Sequence, residues 1–84
     1  MKNSDNIVVF LREQPDGYTY LEVDGLIYGR TKPGGEILVN SDLPTILRSE
    51  ALISLTHVSM GGKDTTKIAE LIVGFRKHRQ SKET

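Results

Sequence analysis

The sequence predicts an α+β fold: an antiparallel sheet of about five strands, made of an N-terminal four-strand meander, a short helix and a fifth strand, packed against one C-terminal amphipathic helix. Three observations carry this expectation. Asp24 and Gly25 separate the β-rich runs "YTYLEV" and "LIYGR", and Asp-Gly in that setting is a strong short-range hairpin signal. "QPDG" before this hairpin and "TKPGGE" after it supply the proline and glycine chemistry of tight turns. Towards the end of the chain, Ile68, Leu71, Ile72 and Phe75 recur at i, i+3, i+4 and i+7, the spacing of an apolar helical stripe.

Taken in order, "IVVFLR" is β-branched and too short for a helix, so it reads as a strand buried on both faces near the middle of the sheet. In the Asp-Gly hairpin, a two-residue loop sets Val23 opposite Leu26, Glu22 opposite Ile27, Leu21 opposite Tyr28, Tyr20 opposite Gly29 and Thr19 opposite Arg30. Leu21, Val23, Leu26 and Tyr28 then form the expected core face. Tyr18, Tyr20, Glu22 and Ile27 share the other face, with the Tyr20 ring over Gly29. "EILVN" closes the meander as a fourth strand.

"SDLPTILRSE" offers Ser41 or Asp42 as an N-cap with Pro44 in the first turn of a short connecting helix. "ALISLTHVSM" is rich in Leu, Ile, Val, Thr and Ser and is read as a long fifth strand. After Gly61 and Gly62, Asp64 or Thr65 caps the C-terminal helix. That helix is expected to continue through Gly74, with the glycine on the solvent side and Phe75 extending the core stripe. Residues 1–84 read as one small domain, with flexible ends at 1–6 and 80–84.

With no cysteine there is neither a disulfide framework nor a thiolate metal site, which fits a reducing compartment, and cytoplasm is the expected location. No apolar run approaches the length of a membrane span, so no membrane partner is expected. The formal net charge is zero but unevenly distributed. Residues 1–42 hold four Lys/Arg against seven Asp/Glu and residues 43–84 hold seven against four, so the halves carry −3 and +3. A basic C-terminal half points to a polyanion as partner, or to contact between copies; a core this small also favours self-association, a dimer being the expected state.

Few residues suggest chemistry. "MGGKDTT" falls short of a phosphate-binding P-loop, because His57 and Asp64 stand where that motif needs glycine and a hydroxyl, so it reads as a turn leading into a helix cap. His57 and His78 lack companions at ligand spacing, and no carboxylates are paired, so neither metal, cofactor nor catalytic residue is assigned. The remaining signal is basic. Lys63, Lys67, Arg76, Lys77, Arg79 and Lys82 are the candidate nucleic-acid contacts, with Tyr18 and Tyr20 as candidates for base stacking or an interface. The expected function is a small non-enzymatic binding or regulatory accessory protein that contacts nucleic acid through its basic C-terminal helix. The alternative is a self-associating protein-interaction or inhibitor module that uses a β edge or the tyrosine face without binding nucleic acid.

Overall fold

Strands β1 (Val9–Glu13), β2 (Thr19–Val23), β3 (Leu26–Thr31) and β4 (Ile37–Val39) form one antiparallel sheet in the order β1-β2-β3-β4, followed by helices α1 (Thr45–Ser59) and α2 (Thr65–Glu83). The computed structural model describes residues 7–83, with side chains through Gln80. The ends expected to be flexible lie outside the described residues at 1–6 and at Thr84, whereas 80–83 complete α2.

The turns form where the sequence places them, for local reasons. Gly17 takes φ +92°, and the Gln14 amide donates to the Tyr18 carbonyl at 2.8 Å. Asp24 and Gly25 both have positive φ, 50° and 84°, as a type I′ hairpin turn requires. From that turn Val23 pairs with Leu26 and Glu22 with Ile27, as expected, but a bulge at Tyr28 then moves the register by one residue. Leu21 consequently faces Gly29, Tyr20 faces Arg30 and Thr19 faces Thr31. The core face therefore retains Leu21, Val23 and Tyr28 and loses Leu26, which is exposed. Gly29 lies beneath α1, not beneath Tyr20. A Cβ there would meet the Leu38 carbonyl oxygen and sit 2.7 Å from Leu55 Cδ1, at a φ of +154° that L residues rarely adopt.

β1 is an edge strand, not a central one. Its apolar run hides an alternation: Val9 and Leu11 pack against the core, while Val8 and Phe10 face outward, each 51% exposed.

The expected fifth strand is overturned. Residues 51–59 belong to α1, which absorbs the short connecting helix as well. Leu47, Glu50, Ala51, Ser54, Leu55 and Val58 make a 3-4 spaced inward stripe, but two of its members are polar, so apolar residues alone do not display the helical period. The hydroxyls that favour strands are satisfied within the helix: Ser54 Oγ donates to the Glu50 carbonyl at 2.9 Å and Thr56 Oγ1 to the Leu52 carbonyl at 2.7 Å. Nor do Ser41 and Asp42 cap it. Pro44 occupies the N-cap position without a side-chain bond, and Asn40 Oδ1 accepts from the Asp42 amide at 3.0 Å in the preceding turn.

α2 starts and extends as expected, but its inward stripe is narrower: Ile68 and Ile72 enter the core, whereas Leu71 and Phe75 are only partly buried and belong neither to the core nor to the apolar residues packed against it. Asp64 Oδ1 accepts from the Thr66 amide at 3.0 Å, the helix runs through Gly74, and Gly74 is exposed with open space around it. α1 lies over β3 and β4, α2 lies over β1, and the helices touch one another, so both cover the same side of the sheet. The core between these layers is Leu21, Val23, Tyr28, Leu43, Ala51, Leu55, Val58, Ile68 and Ile72. Among the described residues no helix or strand covers the opposite face of the sheet.

Candidate functional site

Two constellations of charged and aromatic side chains stand out, one on each side of the sheet. The inner one centres on Glu50, which the α1 stripe carries into the core at 1% exposure. Its carboxylate accepts from Tyr28 Oη at 2.9 Å, from Arg76 Nε at 2.8 Å and from Arg76 Nη2 at 2.9 Å. The two arginine contacts form a bidentate fork, the strongest common geometry for such a pair. Arg79 Nη2 adds a longer contact at 3.5 Å, while Arg79 Nη1 is buried without a hydrogen-bond partner among the described residues. Arg79 also lies over the Phe75 ring, 5.2 Å from its centroid. Burial and the hydrogen bond to Glu50 push the Tyr28 phenol up to about 12, and the bonds to Glu50 raise Arg76 above its ordinary value. A carboxylate isolated in a core is strongly unfavourable; here two helices and a strand converge on it to supply the donors.

This network redirects two of the expected nucleic-acid contacts. Arg76 and Arg79 sit together, as one helical face requires, but they point to Glu50 instead of solvent. Lys63 pairs with Glu13 at 2.9 Å, joining the loop between the helices to β1. Lys67 and Lys77 are exposed along α2, and the Lys82 side chain lies outside the described residues. The five cations whose side chains are described are therefore not gathered on one surface.

The outer constellation occupies the uncovered face of the sheet. Strand alternation and the observed register place Phe10 and Arg12 of β1 beside Tyr20 and Glu22 of β2, with Arg30 of β3 directly opposite Tyr20. Arg30 Nη1 donates to Tyr20 Oη at 2.8 Å, and its guanidinium lies 5.1 Å from the Tyr18 ring centroid and 5.7 Å from that of Tyr20. That hydrogen bond raises the Arg30 pKa above its ordinary value. Lys32 Nζ is 5.1 Å from the Tyr18 centroid. On β1, Arg12 bonds Glu22 at 2.9 Å and lies 5.7 Å from the Phe10 centroid. Three rings and three cations thus share the outer face of β1, β2 and β3, with Tyr18 and Lys32 just beyond the strand ends, within the range of cation–π attraction.

Sequence reasoning found Tyr18 and Tyr20 and missed Phe10, Arg12, Arg30 and Lys32. The missing signal was register: without the bulge, Arg30 pairs with Thr19 on the core side, and with it Arg30 joins Tyr20. The inner network was missed because Arg76 lies 26 positions from Glu50 and 48 from Tyr28. The described residues hold no group of three or more metal-ligating side chains, and none of their helices is long and apolar enough to cross a membrane. Comparison of the chain with protein-family models, with curated proteins and with solved structures finds no match.

Proposed function

We propose that this chain is a small non-enzymatic binding module that contacts nucleic acid through the uncovered face of its sheet. The observation that carries this reading is the placement of Phe10, Tyr18 and Tyr20 beside Arg12, Arg30 and Lys32 on that face. Rings provide sequence-tolerant stacking platforms and cations provide phosphate contacts, the combination that non-specific nucleic-acid binders use. The basic C-terminal helix contributes less than its charge count implies, because Arg76 and Arg79 are engaged by Glu50. A non-enzymatic role is supported by the condition of Glu50 itself, whose oxygens are occupied by Tyr28 and two arginines and offer no open side to a substrate. A cytoplasmic setting belongs to the same proposal and rests on the absence of cysteine.

The test is an amide chemical-shift titration with a mixture of short oligonucleotides. Perturbations confined to Phe10, Arg12, Tyr18, Tyr20, Arg30 and Lys32 are expected. Perturbations confined to Lys67 and Lys77 would return the site to the helix, and none at any ratio would end the nucleic-acid reading.

One observation favours a second reading, self-association without nucleic acid. α1 is apolar on its outer side too: Ile46 and Leu52 are half exposed and Ile53 is over a third exposed. Sedimentation of wild type and Leu52→Asp across a wide concentration range decides it; a strict monomer in both cases removes it.

A further inference from the structure

We infer that the ligand of the uncovered sheet face is a single-stranded nucleic acid in an extended, unstacked form, and not a duplex. This inference rests on the nucleic-acid reading above and specifies the class of ligand. Its basis is the spacing of the rings. Tyr18 immediately precedes β2 and Tyr20 lies within it two residues on, and Arg30 reaches both rings, so the two stand on the same side of the sheet. At about 3.4 Å of rise per residue their backbone origins stand about 6.8 Å apart. Neighbouring bases in a duplex are separated by about 3.4 Å along each strand, so no two successive stacked bases match these two platforms. An extended strand whose bases have come apart does match them, one base to each ring.

The cations favour the same ligand. Arg30 reaches both rings and Lys32 reaches Tyr18, so each platform has a positive group beside it. A phosphate linking two ring-bound bases passes between the rings, where Arg30 stands. Its planar fork suits a phosphate oxygen pair, and Tyr20 Oη already holds it in place. Among the described residues the face also lacks any projecting helix or strand able to enter a groove. Its four short strands present side chains only, and a duplex offers those side chains phosphates but no exposed base faces. The charge complement is small, with Glu22 on Arg12 leaving Arg30 and Lys32 as the chief phosphate contacts, so the salt dependence should be shallow. For two contacts on a single strand, the slope of log affinity against log salt is expected at about −1.4.

The experiment uses the full chain and fluorescein-labelled mixed-sequence 12-mers, single-stranded DNA, single-stranded RNA and the DNA duplex, followed by anisotropy at two salt concentrations. Single strands are expected to bind at least tenfold more tightly than the duplex. Tyr18→Ala and Tyr20→Ala should each weaken single-strand binding by about 5- to 150-fold, whereas Tyr18→Phe, which keeps the ring, should leave it within about twofold. Circular dichroism and the thermal midpoint of each variant separate lost folding from lost binding. Equal or tighter binding of the duplex overturns the single-strand inference and leaves the nucleic-acid reading standing. Absence of binding to all three probes overturns both. Retained affinity in a folded Tyr18→Ala, Tyr20→Ala double variant also overturns the inference, because the ring spacing is its basis.

Discussion

The two sides of the sheet use the same side chains to opposite ends. On the inner side Tyr28, Arg76 and Arg79 close around a buried carboxylate, and the arginine fork is fully engaged with it. On the outer side Tyr18, Tyr20, Arg30 and Lys32 meet without a buried acid, and the cations rest against rings beside open water. An arginine next to a tyrosine is therefore not in itself a binding signal. What separates the two cases is whether a desolvated anion within the chain already occupies the guanidinium. Substitutions on the inner side should accordingly change stability, and substitutions on the outer side should change binding.

The largest effect is expected from Glu50→Ala. It strands Arg76, Arg79 and Tyr28 in a partly buried site, and loss of one partner from such a pair costs about 3–5 kcal/mol. Urea denaturation measures it, and a loss below about 1 kcal/mol would mean that the inner network is not structural. Tyr28→Phe removes one donor to that carboxylate and should cost about 1.5–3 kcal/mol at neutral pH. The penalty should depend on alkali in a defined direction. The unfolded chain ionises this phenol near its ordinary value of about 10, whereas the folded chain holds the proton up to about 12. The phenol's stabilisation is therefore complete below pH 10 and is lost as pH rises towards 12. The advantage of wild type over Tyr28→Phe should shrink across that window, and a constant difference would contradict the assignment.

Gly29→Ala is next. Its Cβ collides with the Leu38 carbonyl and with Leu55, and both belong to packed elements, so about 1–3 kcal/mol is expected from overpacking. Gly74→Ala should act in the opposite sense. The position is mid-helix and exposed with space for a methyl group, and the thermal midpoint should rise by the equivalent of about 1 kcal/mol. The smallest change in stability is expected at Arg30→Ala on the outer side, where a solvent-screened cation resting on rings contributes little; thermal denaturation measures it. If Arg30→Ala proves as destabilising as Glu50→Ala, the distinction between the two faces fails.

Much of this fold was legible from local chemistry, and what was not has specific causes. Asp24-Gly25, Gly17 and the Asp64 cap each act within a few residues, so the hairpin, the first turn and the start of α2 could be placed from sequence. Register beyond Glu22 was hidden because one extra residue at Tyr28 leaves no compositional trace. α1 was hidden for a different reason. Its buried stripe includes Glu50 and Ser54 while Ile46 and Leu52 lie outside, so polarity and burial disagree along the helix. That disagreement was the missed clue to the inner network, since a glutamate at a core position requires distant donors. Of the candidate site, the two tyrosines were visible from their alternation, but the cations beside them required three strands in their true register.

The position of Glu50 also bears on how the molecule opens. Its carboxylate belongs to α1 and its fork of donors to α2, so neither helix can leave the sheet without exposing an unanswered charge in the core. The two helices should thus melt as one cooperative unit. Native-state hydrogen exchange should give their central amides a common opening free energy, higher than that of the β1 edge, and Glu50→Ala should uncouple them.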